Sequence, residues 1–208
     1  MRLSCCFCHF KGGAVMLFQI GALGILAAFY GCYFYKMLRQ RNRGIRTNQL
    51  GKGKTGVVKW IELGVKLATI LTAAAEVACI LIPTGGFPAG VRAAGFVLGA
   101  LGVAVFALSV RDMGDSWRAG VPREKETALV TEGIYRFSRN PAFLGFDLVY
   151  LGILLMFFHP ALLAISGLAA LLLHLQIVNV EEDFLTAAFG EEYRAYRGKV
   201  NRYLGRKR

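Results

Sequence analysis

The chain has 208 residues, room for one domain or two small ones. Its hydrophobic fraction is 55% and its mean hydropathy +0.47, an excess over the roughly 45–50% of a soluble domain that must face something other than water. The net charge is +12, but the cations lie in segments that flank long apolar runs, which points to a membrane surface and away from nucleic acid.

An apolar run of about 18 or more residues can cross the hydrocarbon core as a helix. Before the first such run, Cys5, Cys6, Cys8 and His9 form a C-C-x-C-H cluster. A structural zinc site pairs two separated knuckles and no second half follows. The cluster reads as a flexible or acylated tail. Ala14–Tyr35 carries no charge and predicts a first transmembrane helix, too long for a signal-peptide core and followed by no small-x-small cleavage site. The next segment, 36–59, holds Lys36, Arg39, Arg41, Arg43, Arg46, Lys52, Lys54 and Lys59 and no acid, so it is a cytoplasmic loop. Gly53-Lys54-Thr55 is not a P-loop, because Asn48 stands where the leading glycine belongs.

Residues 57–82 predict a second span, with Glu62 and Lys66 placed to pair on one face and Glu76 turned toward the bundle interior. An uncharged turn, 83–88, leads to a Gly- and Ala-rich third span at 91–110, a composition that lets helices approach closely. A mixed-charge connector, 111–140, returns the chain to the cytoplasm. Runs 142–158 and 160–178, broken at His159-Pro160, predict a tight helical hairpin that carries another intramembrane acid, Asp147. His174, alone in its run, reads as a packed, hydrogen-bonded side chain. In the tail, Phe184, Leu185, Ala188, Phe189, Tyr193 and Tyr196 recur at helical spacing, and Glu191 and Arg194 are placed to pair. The expected fold is all-α: an integral membrane bundle of about five transmembrane helices with a C-terminal amphipathic cytoplasmic helix. Residues 1–110 would form the N-terminal spans and 111–208 the chemical part.

Polar residues concentrate at the two ends of the hairpin, in 129–145 and 181–202. A short hairpin brings its ends together, so Arg139 and the Glu181-Glu182 pair meet at one depth and make a site for a zwitterionic ligand. Pro141 is suited to begin a helix, whose N-terminus attracts a carboxylate.

The segment Leu129-Val130-Thr131-Glu132-Gly133-Ile134-Tyr135, then Arg139-Asn140-Pro141-Ala142-Phe143-Leu144-Gly145, an apolar hairpin, Glu181-Glu182, Phe189-Gly190, Tyr193, Tyr196, Val200 and Arg202 resembles the isoprenylcysteine carboxyl methyltransferase family. It is similar more broadly to the membrane phospholipid methyltransferases. The resemblance spans residues 114–204 and implies S-adenosylmethionine as cofactor. It places Thr127, Ala128, Leu129, Val130, Gly133, Tyr135, Asn140, Pro141, Phe143, Gly145 and Glu181 around that cofactor, with Arg139, Glu182 and Arg202 at the chemistry. The family's R-H-P histidine is Asn140 here, which cannot titrate. Phe143 lacks the family's aromatic hydroxyl, and 176–180 holds no cation where the eukaryotic enzymes place a substrate-contacting arginine. The acceptor therefore stays open among carboxylate, thiol and amine.

The expected activity is methyl transfer to a lipophilic or small-molecule acceptor at the cytoplasmic face of a bacterial plasma membrane, with the C-terminus cytoplasmic and with neither metal nor nucleic acid. Two rivals remain: a nicotinamide-dependent membrane reductase, and a non-catalytic scaffold or transporter-like protein in which Glu76 and Asp147 mark a polar pathway.

Overall fold

The computed structural model describes residues 3–121 and 128–207, and only the backbone of residues 3–12 and 14. The side chains of Cys5, Cys6, Cys8 and His9, and the whole of Thr127, therefore lie outside the described residues. Six α-helices follow in order: α1 (Leu3–Arg41), α2 (Gly56–Leu81), α3 (Ala89–Met113), α4 (Pro141–Met156), α5 (Pro160–Gln176) and α6 (Glu182–Lys199). Among the described residues there is no β-strand, only isolated bridges such as that between Asn48 and Ala119.

Stretches of α1, α2, α3 and the α5–α6 rod are long and apolar enough to cross a membrane, while α4 has 16 residues. Their outward faces carry large apolar side chains such as Leu17, Ile20, Trp60, Ile70 and Leu168. In water that surface would be a large unfavourable exposure; in hydrocarbon it costs nothing. The chain is an integral membrane protein.

α3 and α4 touch backbone to backbone. A Cβ on Gly95 would lie 2.7 Å from the Gly152 carbonyl, one on Gly102 2.8 Å from that of Gly145, and one on Gly152 2.6 Å from the Gly99 nitrogen. Only glycine permits that approach, and it realises the close packing expected of the Gly-rich third run. Phe29 of α1, Phe106 of α3 and Phe146 of α4 lie 4.6–5.5 Å apart, Phe146 edge to face on the other two and Phe29 tilted on Phe106, and fill the core between the three helices.

Several expectations need correction. Glu62 does not pair with Lys66. It is fully buried and accepts the Gly51 N–H at 2.6 Å, because the basic loop folds back under α2. That loop is pinned further to the connector, where the Ala119 carbonyl accepts from Gln49 N–H and Ala119 N–H donates to the Thr47 carbonyl. The N-terminal segment expected as a flexible or acylated tail continues the first helix, since α1 is helical from Leu3. α5 also does not end before a separate tail helix. A π turn, Ile177–Glu181, joins it to α6. The Glu191–Arg194 pair forms as expected, and Glu76 is fully buried inside the bundle.

Candidate active site

The site is built on the entry to α4. Gly133 (φ +61°) opens a short 3-10 turn, Gly133–Arg136. A Cβ there would overlap the Asp112 carboxylate, which instead accepts the Ile134 N–H at 2.9 Å. The turn drops Tyr135 inward, 2% exposed. Its hydroxyl lies 2.8 Å from Ser109 Oγ, its carbonyl accepts from the Tyr196 hydroxyl at 2.6 Å, and burial pushes its phenol pKa up. Asn140 is the N-cap residue of α4 and Pro141 its first turn. The Asn140 side chain makes no cap; its Nδ2 donates to the Arg202 carbonyl at 3.1 Å.

The other half comes from the α5–α6 junction. A π turn inserts one extra residue into the helical repeat and re-aims the side chains that follow, a device common at functional sites. Here it sends the adjacent acids in different directions. Glu182 faces the connector and gathers three arginines: Arg139 Nη1 at 3.0 Å, Arg202 Nε at 2.8 Å and Arg197 at 3.8 Å. The Arg202 contact is two-pronged, with Nη2 donating to Oε2 at 3.1 Å, and it raises the Arg202 pKa. The side chains of Arg139 and Glu182 are 5% and 7% exposed, that of Arg202 30%. Arg139 also donates from Nη1 to the Tyr193 hydroxyl at 2.7 Å.

Between the connector and α6 lies a cavity of roughly 100 Å³ lined by Ala128, Leu129, Val130, Tyr135, Arg139, Asn140 and Glu181, together with Arg118, Phe184 and Tyr193. Two polar groups on its wall are unused. Arg139 Nε is buried with no acceptor among the described residues. The Glu181 carboxylate, half-buried, receives no hydrogen bond from them. One guanidinium and one carboxyl group thus face the same space.

Seven of the expected residues line this cavity, and Glu182 and Arg202 fix its Arg139 wall from behind. The others lie elsewhere. Pro141 begins α4, and Gly133 serves the turn. Phe143 packs with Val65, Ala169 and Leu173 on the α2–α5 side. Gly145 serves the α3 seam, where its Cβ would meet Phe106 at 2.9 Å. The sequence reading missed Tyr193, Phe184 and Arg197 as site residues. Their helical spacing signalled an apolar face, and nothing in that period distinguishes a face against lipid from one that roofs a cleft. Leu129, Leu185 and Phe189 pack with Tyr193 and Tyr196 beneath α6, so the tail helix covers the connector.

Arginine at the helix entry, an acidic pair at the end of the hairpin and tyrosines about three and four turns beyond are now joined in three dimensions. Residues 91–192 match the family described as phospholipid methyltransferase. That stretch, just under half of the chain, resembles the domain of that family. The chain is also similar to two yeast proteins named protein-S-isoprenylcysteine O-methyltransferase. It is 33% identical to that of Schizosaccharomyces pombe over 78 residues, 38% of this chain and 33% of the relative. It is 32% identical to that of Saccharomyces cerevisiae over 108 residues, 51% of this chain and 45% of the relative. The matches thus span a third to under half the length of these relatives. The matched stretch contains nearly all of α3, the connector, the hairpin and most of α6, so Arg139 and Glu182 fall inside it while Arg197 and Arg202 lie beyond its end.

Proposed function

We propose that the chain is an S-adenosylmethionine-dependent membrane methyltransferase that methylates a lipophilic or small acceptor at the cytoplasmic face. The observation that carries this reading is the two-signed cleft. Its unused Arg139 Nε–H suits a carboxylate and its unused Glu181 suits an ammonium, the two charges of an amino-acid end. The backbone of 128–130 and the rings of Phe184 and Tyr193 offer polar edges and apolar faces for the remainder. Thr127, beside that backbone, is proposed for the same wall. The domain family and the names of the yeast relatives support methyl transfer. The cation-rich 36–59 loop supports a cytoplasmic site and C-terminus.

The bound cofactor would supply an activated sulfonium methyl group. The protein's part is to align and dehydrate. Arg139 holds the anionic end, and Glu182 holds Arg139. With its oxygens already engaged by arginines, Glu182 is a positioning residue rather than a base. Arg202 locks Glu182 in that orientation, and Asn140 locks the Arg202 backbone. Residues 111–208 are proposed as the chemical part, although α2 and α3 supply packing that the part cannot do without.

Isothermal titration of the detergent-solubilised protein with S-adenosylmethionine tests the reading. Saturable binding is expected, weakened at least tenfold in Glu181→Ala, about 1.4 kcal/mol. Absence of binding at millimolar ligand overturns it, and binding indifferent to Glu181→Ala favours the non-catalytic alternative.

A further inference from the structure

We infer that His174, Tyr203 and Asp147 form a proton relay on the acceptor side of this reaction, serving an acceptor that arrives with a proton on its nucleophilic atom. The inference rests on the methyltransferase reading above.

His174 is not isolated. On the last turn of α5, its Nδ1 lies 2.7 Å from the Tyr203 hydroxyl, and the two rings stack with centroids 6.0 Å apart and planes 18° from parallel. Tyr203 is tied directly to the cleft. The carbonyl just before it, that of Arg202, is held by Asn140, which lines the cavity, and the Arg139 N–H binds the Asn201 carbonyl at 3.1 Å. Asp147 belongs to the same place. Phe143, one turn before it, packs against the cluster that includes Leu173, the residue before His174, and Tyr203 is within electrostatic reach of Asp147, Arg202 and Glu182. Asp147 Oδ1 is buried without a partner among the described residues. Three titratable groups from α4, α5 and the C-terminal segment therefore meet beside the cleft.

The other polar groups nearby are already employed. Asn140 does not titrate, Glu182 is held by arginines, and Glu181 is assigned to the ammonium of the donor. His159 caps α5 at the far end of the hairpin. The relay is a hydrogen-bonded imidazole and phenol backed by a carboxyl group, a set suited to accepting a proton. The cation beside it, Arg202, is already held two-pronged by Glu182 rather than offered to a carboxylate acceptor.

In the step, the acceptor's X–H proton passes to Tyr203 Oη as the tyrosine's own proton passes to His174 Nδ1. The X–C bond forms while the C–S bond of the sulfonium breaks, its electron pair staying on sulfur as a neutral thioether. The proton ends on His174, now an imidazolium, and leaves to water. Charge and atoms balance with no further reactant.

The test uses the full chain with labelled S-adenosylmethionine and three probes: dodecanethiol, phosphatidylethanolamine vesicles, and N-acetyl-S-farnesylcysteine, whose nucleophile is a carboxylate. The wild type is expected to label the thiol or the amine probe. His174→Ala is expected to lose about 100-fold or more on it, regain part of the loss with added imidazole, and keep its donor Kd. Tyr203→Phe should fall likewise with its donor Kd kept. A His174→Ala rate within about threefold of wild type, a loss that imidazole does not restore, or wild-type labelling of the carboxylate probe alone or of no probe overturns the relay. Failure of the wild type to bind the donor overturns the methyltransferase reading itself, and the relay with it.

Discussion

Glu182 is a single buried anion that three arginines address. Removing it leaves Arg139 in a dehydrated place with only the Tyr193 hydroxyl for company. Breaking a buried pair from one side costs about 3–5 kcal/mol. Glu182→Ala should therefore lower the thermal midpoint of the solubilised protein and abolish donor binding, whereas the exposed Glu191, paired only with Arg194, should be replaceable by Ala with a change under about 1 kcal/mol. Thermal unfolding of the two variants side by side checks the contrast. The meeting of Arg139 with the acidic pair was legible from the length of the hairpin alone. The division of labour between Glu181 and Glu182 was not, because two adjacent acids in a sequence carry no sign of which way a helix will turn them.

That turning belongs to the α5–α6 rod. The pattern of apolar residues in 160–178 and again in 184–196 was readable, and so were the two helices. The irregular turn between them was invisible, since a π turn satisfies its backbone nearly as an α-helix does and needs no glycine or proline to announce it. Deleting Asn179, an exposed residue within the turn, should restore regular winding and rotate all of α6 by about 100°. The expected result is a protein with nearly unchanged helical circular dichroism that no longer binds S-adenosylmethionine. Retained binding would show that the extra residue is not what aims the acids. Glycine, by contrast, was an informative letter. The small residues of the third run foretold close packing, and the structure uses Gly95, Gly99 and Gly102 for it.

At the scale of the whole molecule, the apolar runs and their charged flanks placed the core of each spanning helix, although α1 begins at Leu3 and α5 runs on into α6, because the demand to cover backbone polarity in hydrocarbon leaves so few choices. What hydropathy could not convey is how the last residues return to the first turn of α4. Arg139 N–H binds the Asn201 carbonyl, and Gly205 N–H binds that of Phe137 at 2.8 Å. A protein truncated after Lys199 should still partition into membranes with its helices intact, yet show no donor binding by titration; binding within about threefold of the full chain would refute the role of this return strap. The glycine seam has a further consequence, for traffic. Where two helices rest backbone on backbone, no chain of methylenes can slip between them from the surrounding lipid without prising the pair apart. The α3–α4 flank is thus a wall, and an oily guest approaching from within the bilayer must come round another side of the bundle.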